Sequence, residues 1–330
     1  MPEPVVFTDP AGEGKPIELE PFKLPRNAVG GAGRRARIPE PDPYYVDLGM
    51  LYRMAQLEQA RRAYFSDTPL HLALRGHMGT GKDHDLEQFA AMMRLPYYRV
   101  PLTGEVRDIT LIGSVKLYGD GQGATESRWE DGDITRALRG PALINLSELN
   151  AAGAETLFAL HGLLDRYQAL GLPTGETVHL RDDVRLFGTM NPTDLRDYAG
   201  TQTLNKAFAD RWIIWEKDFP TEEQLQAMLV RRYPALGERF VELISRLAVE
   251  VNTSFSSIDT STRVETPMSL RTVLDRVPAG LRIHAESEDP LRASWETFVL
   301  PHVDSYDRDH YETVWSAVAR TGPQENPFSD

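Results

Sequence analysis

Between the apolar pentapeptide His71–Arg75 (HLALR) and an amphipathic stretch that begins at Lys82 lies Gly76-His77-Met78-Gly79-Thr80-Gly81-Lys82-Asp83. No other segment restricts the fold as strongly. A glycine-rich turn between a strand and a helix lets successive backbone N–H groups converge into an anion nest. The helix that follows adds the positive end of its dipole. Lys82 is one of only six lysines among 36 basic residues, and it stands where a point charge meets the outer phosphates of a nucleotide. The GxxxxGK spacing in this strand–helix context therefore predicts a phosphate-binding loop at Gly76–Asp83.

The segments around the loop fit the architecture it requires. Short apolar runs alternate with helical patterns, which predicts an α/β unit with a mainly parallel sheet flanked by helices. The expected strands are His71–Arg75, Tyr97–Val100, Pro141–Leu146, Val184–Met190 and Arg211–Trp215. Helices are expected from Lys82 to about Arg94 and over Ala151–Tyr167, the latter with Leu157, Leu160, Leu163 and Leu164 on one face. After Pro220 the strand signals stop, and Glu222–Tyr233, Leu236–Val251, Met268–Val277, Leu291–Val303 and His310–Ala319 are helical by period. Three regions result: a Pro/Gly-rich N-terminal arm over 1–43, an α/β core over 44–220, and a smaller helical domain with a C-terminal tail over 221–330. The arm, which carries Arg34, Arg35 and Arg37, is expected to be extended and solvated.

A second acidic motif follows the run ALINL, in Ser147-Glu148-Leu149-Asn150. In nucleotide-hydrolysing folds such a strand end carries an Asp that holds Mg²⁺, followed by a Glu that activates water. Glu148 occupies the base position, but Ser147 replaces the Asp. The phosphate loop departs in the opposite sense, since Asp83 stands where a Ser or Thr hydroxyl would ligate Mg²⁺. The two departures allow a swapped shell, in which Asp83 approaches Mg²⁺ and Ser147 bonds Asp83 or a metal-bound water. They equally allow a site that has lost its metal ligands and turns over weakly. The residues leave both open.

Composition removes several other classes. The 330 residues contain no cysteine, which excludes a disulfide framework, a thiol nucleophile and a cysteine zinc site. The histidines, among them His77 and His84, show no metal-ligand spacing. A net charge of −13 weighs against nucleic acid as a partner and points to protein partners. No run reaches the length of a membrane span, and MPEPVVFTDP has neither the basic nor the apolar region of a secretory signal, so a cytoplasmic location is expected.

Taken in order, GTGK at Gly79–Lys82, LPYYRVPL at Leu95–Leu102, DITLIG at Asp108–Gly113, RLFGTMNPTD at 185–194, YAGTQTLNKAFADRW at 198–212 and MSLRTV at Met268–Val273 resemble the AAA+ ATPases of the MoxR group. Within that group the likeness is greatest to the cobaltochelatase small-ATPase-subunit (CobS) type, and it spans roughly residues 44–285. The resemblance implies a P-loop AAA+ core followed by a small α-helical lid, with ATP and Mg²⁺ as cofactors. It assigns Asn191 as sensor 1, Arg211 as an arginine finger reaching a neighbouring subunit's nucleotide, and Arg271 as sensor 2. It also implies a homo-oligomeric, six-membered ring that remodels a protein partner, such as one carrying a metal-ion-dependent adhesion (von Willebrand A-type) domain. A nucleotide-bound scaffold that scarcely turns over is the alternative, supported by Asp83 and Ser147. Two polar stretches, Val115–Gly132 with KLYGDGQG and Leu172–Asp183, are expected to form hairpins that offer contact surfaces.

Overall fold

The computed structural model describes residues 3–24, 31–65, 68, 70–119, 125–193, 203–257, 263–320 and 323–328. These form two compact units. The first comprises residues 1–42, 49–76 and 82–217; the second comprises 43–48, 77–81 and 218–330.

The first unit is built on five strands: β1 (His71–Arg75), β2 (Tyr97–Pro101), β3 (Ala142–Ser147), β4 (Val184–Met190) and β5 (Trp212–Glu216). Their order in the sheet is β5-β1-β4-β3-β2, with every neighbouring pair parallel. Every residue of β3 and β4 is buried, as expected for parallel strands covered on both faces. Helices α1 (Met50–Tyr64), α2 (Lys82–Met93) and α3 (Asp133–Leu138) belong to this unit. Burying a charge in β4 requires a full partner. Arg185 has one, donating Nε and Nη2 to the two carboxylate oxygens of Glu58 on α1 at 2.6 and 2.7 Å. Phe22 lies 4.8 Å from the same guanidinium.

The expectation of a solvated N-terminal arm is corrected by what residues 3–24 and 31–42 touch. Val5–Phe7 and Ile17–Leu19 pair as an antiparallel hairpin, with Phe7, Ile17 and Leu19 buried. The Phe7 ring lies 5.9 Å from Phe89 of α2. Arg34 is also buried, and its guanidinium donates to the carbonyls of Arg136, Ala137 and Pro141 at the C-terminal end of α3. A few apolar anchors and one cation thus hold a Pro/Gly-rich stretch that its composition alone reads as solvent-exposed.

The long helix expected over 151–167 is broken into Leu149–Ala151, Ala154–Ala159 and His161–Leu164. It then leads into the hairpin Ala169–Gly171 and Thr177–His179. The other expected hairpin pairs Gly113–Gly119 with Thr125–Asp131, and its tip lies outside the described residues.

In the second unit, α4 (Glu222–Arg232) starts at a capping box in which Thr221 and Gln224 each receive the other's backbone N–H. Helix α5 (Glu238–Phe255) buries Phe240, Leu243, Ile244, Leu247, Val251 and Phe255. The helices α6 (Val277–Ile283), α7 (Pro290–Ser294) and α8 (Arg308–Val318) complete the unit. The periods expected over Met268–Val277 and Leu291–Val303 wind partly as wider π turns, at Thr272–Arg276 and Trp295–Val299. The first directly precedes Pro278's helix. Proline removes an N–H and crowds the carbonyl four residues earlier. That carbonyl belongs to Leu274, and it accepts the Tyr233 hydroxyl at 2.6 Å instead. Among the described residues no helix is long and apolar enough to cross a membrane.

Candidate functional site

The C-terminal ends of β1, β3 and β4 gather the polar residues of the first unit. Gly76 leaves β1 with its N–H donating to Met190 O at 3.2 Å, and a Cβ here would meet Lys217 O at 2.1 Å. Only glycine allows that approach. Lys82 opens α2 and turns back, donating Nζ to Gly76 O at 2.7 Å and to Asn191 Oδ1 at 3.2 Å. Burial lowers its pKa to about 8; Asp83 and Glu148 oppose the shift, while Lys217 adds to it. Lys217 itself is paired with buried Asp85.

Asn191 is clamped through its backbone by Asn150, which donates Nδ2 to Asn191 O at 2.8 Å and accepts the Asn191 N–H at 3.4 Å. Glu148 is exposed at the end of β3, in the left-handed region at φ 62° and ψ 49°. A non-glycine residue held there carries strain of order 1–3 kcal/mol, a cost that recurs at functional sites. Lys82 is thus bonded to Asn191 and feels the Glu148 charge. Arg211 does not join them: its guanidinium donates to Ala207 O in its own short helix. It also lies near His161, whose pKa is lowered by burial first and by the Arg211 charge second.

Asp83 and Ser147 meet, with Ser147 Oγ donating to Asp83 Oδ2 at 3.1 Å. Yet Asp83 is already filled. Its Oδ1 accepts Asn145 Nδ2 at 2.9 Å and Thr189 Oγ1 at 2.8 Å, and its Oδ2 accepts Arg99 Nε at 2.9 Å. Arg99 Nη2 also donates to Ser147 Oγ at 3.0 Å. Burial alone would raise the Asp83 pKa, but the Asn145 and Thr189 hydrogen bonds, and then the Arg99 charge, hold it below the usual value. A carboxylate offers about four lone-pair positions, and here four donors occupy them. Mg²⁺ requires near-octahedral oxygen ligation, so this saturated pair beside a guanidinium does not fit it. Among the described residues no cluster of three or more His, Asp or Glu could hold a metal ion.

Sequence reasoning missed Arg99, Asn145, Thr189 and Asn150. The available signal was polarity inside apolar runs. Asn145 interrupts ALINL, Thr189 ends the VRLFGT run, and Arg99 alternates with Tyr98 and Val100.

Residues 77–81, which complete the loop, pack within the second unit. Gly79 and Gly81 have φ of 77° and 84°, and Gly79 O accepts Leu270 N–H at 3.0 Å. Thr80 is buried and donates Oγ1 to His77 O at 2.9 Å. The His77 ring stacks on Phe219 at 5.4 Å and meets Phe255 edge-on at 4.9 Å. Within this unit a cavity of about 460 Å³ is lined by Met78, Gly79, Gly81, Arg271, Arg276 and His302, among others. Its size lies in the usual range for small-molecule sites. Arg271 therefore lines a cavity beside the loop's glycines.

In a comparison against known families, residues 71–212, which hold most of the parallel sheet and the glycine loop, match the AAA domain of the dynein-related subfamily. Over those residues the core is similar to an AAA domain. Similar proteins are known from staphylococci. An uncharacterized protein of Staphylococcus epidermidis is 25% identical over 206 residues, covering 62% of this chain and 76% of its own length. One from Staphylococcus aureus is 23% identical over 210 residues, covering 63% and 77%. Among solved structures, a "putative ATPase" from Cytophaga hutchinsonii aligns over 88% of this chain and 94% of its own, at 16% identity and a TM-score of 0.39. In the first unit β1 and the start of β5 bound the matched segment, while the helical unit lies beyond it.

Proposed function

We propose that this chain is an ATP-binding, ATP-hydrolysing AAA+ motor of the MoxR type, nearest to the cobaltochelatase small ATPase subunit, which acts as a ring on a protein partner. The observation that carries this is the convergence of Lys82, Glu148 and Asn191 where three parallel strands end, at the start of the helix that follows the glycine loop. Lys82 meets the outer phosphates, Asn191 orients a water, and the Glu148 carboxylate takes a proton from it as oxygen attacks the terminal phosphorus. The bond to the leaving diphosphate breaks, giving ADP and phosphate. In this reading Arg211 serves a neighbour's nucleotide and Arg271 reports nucleotide state to the helical unit; that Arg211 bonds Ala207 O in its own short helix, apart from Lys82, supports the first role. A head-to-tail ring, six subunits by resemblance, follows from a site completed in trans. The partner is a protein of the adhesion-domain type, and the work is metal insertion or complex maturation.

A second reading is favoured by one observation. The saturation of Asp83 suits a nucleotide-bound scaffold with little turnover. Steady-state ATP turnover separates the two. Turnover that falls at least about a hundredfold in Glu148→Gln, with binding retained, supports the motor. Tight binding with no turnover, indifferent to that substitution, supports the scaffold.

A further inference from the structure

The eighth loop residue is an acid, and an acid facing a polyphosphate needs a cation beside it. The structure already supplies one. We propose that Arg99 is the resident cation of this nucleotide site, so that nucleotide binds without a divalent metal.

The proposal rests on the nucleotide-binding reading above, and four observations carry it. Arg99 makes two of its donor contacts with the two residues that would otherwise ligate the metal, Nε to Asp83 Oδ2 at 2.9 Å and Nη2 to Ser147 Oγ at 3.0 Å. Asn145 and Thr189 fill the opposite oxygen of Asp83, so the carboxylate is fixed in orientation towards the guanidinium. Asn145 is wholly buried, and its own Oδ1 has no hydrogen-bond partner. Spending its amide on Asp83 while leaving that oxygen unmet is a local cost that a vacant, metal-ready carboxylate would not require. Finally, the Arg99 side chain is 48% exposed, and among the described residues its Nη1 makes no hydrogen bond.

A guanidinium remains charged at any physiological pH and presents donors in a planar fork suited to phosphate oxygens. Two of its nitrogens are anchored to Asp83 and Ser147, and the third is open. It can therefore neutralise phosphate charge without the dehydration that Mg²⁺ binding demands. A second cation at the same place would be repelled by the first. Register sets this arrangement: Arg99 lies beside Asn145, and Pro101 beside Ser147, in adjacent parallel strands.

The test is ATP binding by calorimetry to the full chain, in Mg²⁺ and in EDTA, for the wild type, Arg99→Ala and Arg99→Lys. The expected result is wild-type affinity that differs by less than about threefold between the two buffers. Arg99→Ala should lose at least tenfold in EDTA, and Arg99→Lys, which keeps the charge without the fork, should fall between. A second protein, Asp83→Ser combined with Ser147→Asp, should acquire Mg²⁺ dependence. Wild-type binding in Mg²⁺ that disappears in EDTA overturns the proposal while leaving the nucleotide reading intact. Binding in neither buffer overturns the nucleotide reading and this proposal with it.

Discussion

His71 begins β1 with its imidazole buried against Trp212, ring centroids 5.9 Å apart, and its Nε2 without a partner. Burial lowers its pKa to about 4, against the pull of backbone hydrogen bonds at Leu186 and Leu163. The unfolded chain would titrate near 6.5, so between those values the unfolded state binds the proton and the folded state does not. Stability is therefore complete above about pH 6.5 and falls as the pH drops towards about 4. A loss of about 2 kcal/mol is expected between about pH 7 and about pH 5 from this residue alone. Urea unfolding of His71→Phe should show that part of the acid limb flattened; an unchanged limb would assign the acid sensitivity elsewhere. At this scale the sequence exposes residues that act through local spacing. Lys82 and Glu148 are legible because a loop and a strand end define them. Arg99, Asn145 and Thr189 are not, because their meeting at Asp83 depends on the register of three strands far apart in the chain.

The elements divide by how locally they are determined. Runs such as HLALR, ALINL and VRLFGTM are mostly apolar strands that a parallel sheet must bury, and they appear within a residue or so of where their pattern puts them. Helical period is a weaker guide where proline or glycine intervenes, as at Pro278 and in the broken stretch after Glu148. The N-terminal stretch was least legible, since its composition hides the few side chains that fix it. Arg34 is the clearest of these. A cation at a helix C-terminus meets both unpaired carbonyls and the negative end of the dipole, and here it does so out of water. Arg34→Ala should cost about 2 kcal/mol, read as a shift of the denaturant midpoint with an unchanged slope. A midpoint that stays in place would mean that water replaces the guanidinium without loss.

At the scale of the whole molecule, Lys82 and Asp83 belong to the first compact unit and residues 77–81 to the second. The proposed ring requires a further completion between subunits. Arg211→Ala should then bind ATP normally and lose at least about a hundredfold in turnover, since arginine fingers contribute factors of this order or more. Co-assembly of Arg211→Ala with Glu148→Gln should restore part of the activity, because some interfaces then hold an intact Glu148 and an intact Arg211. No recovery in mixed assemblies would place Arg211 outside the neighbour's site.

All of this stands on a nucleotide held by the loop through Lys82, and equilibrium binding of ATP to the wild type and to Lys82→Ala tests it most directly. Saturable one-to-one binding that weakens at least about a hundredfold in the variant, with unfolding curves unchanged, is the expected result. Wild-type protein that shows no saturable ATP binding, or a variant that binds as tightly as the wild type, would contradict it.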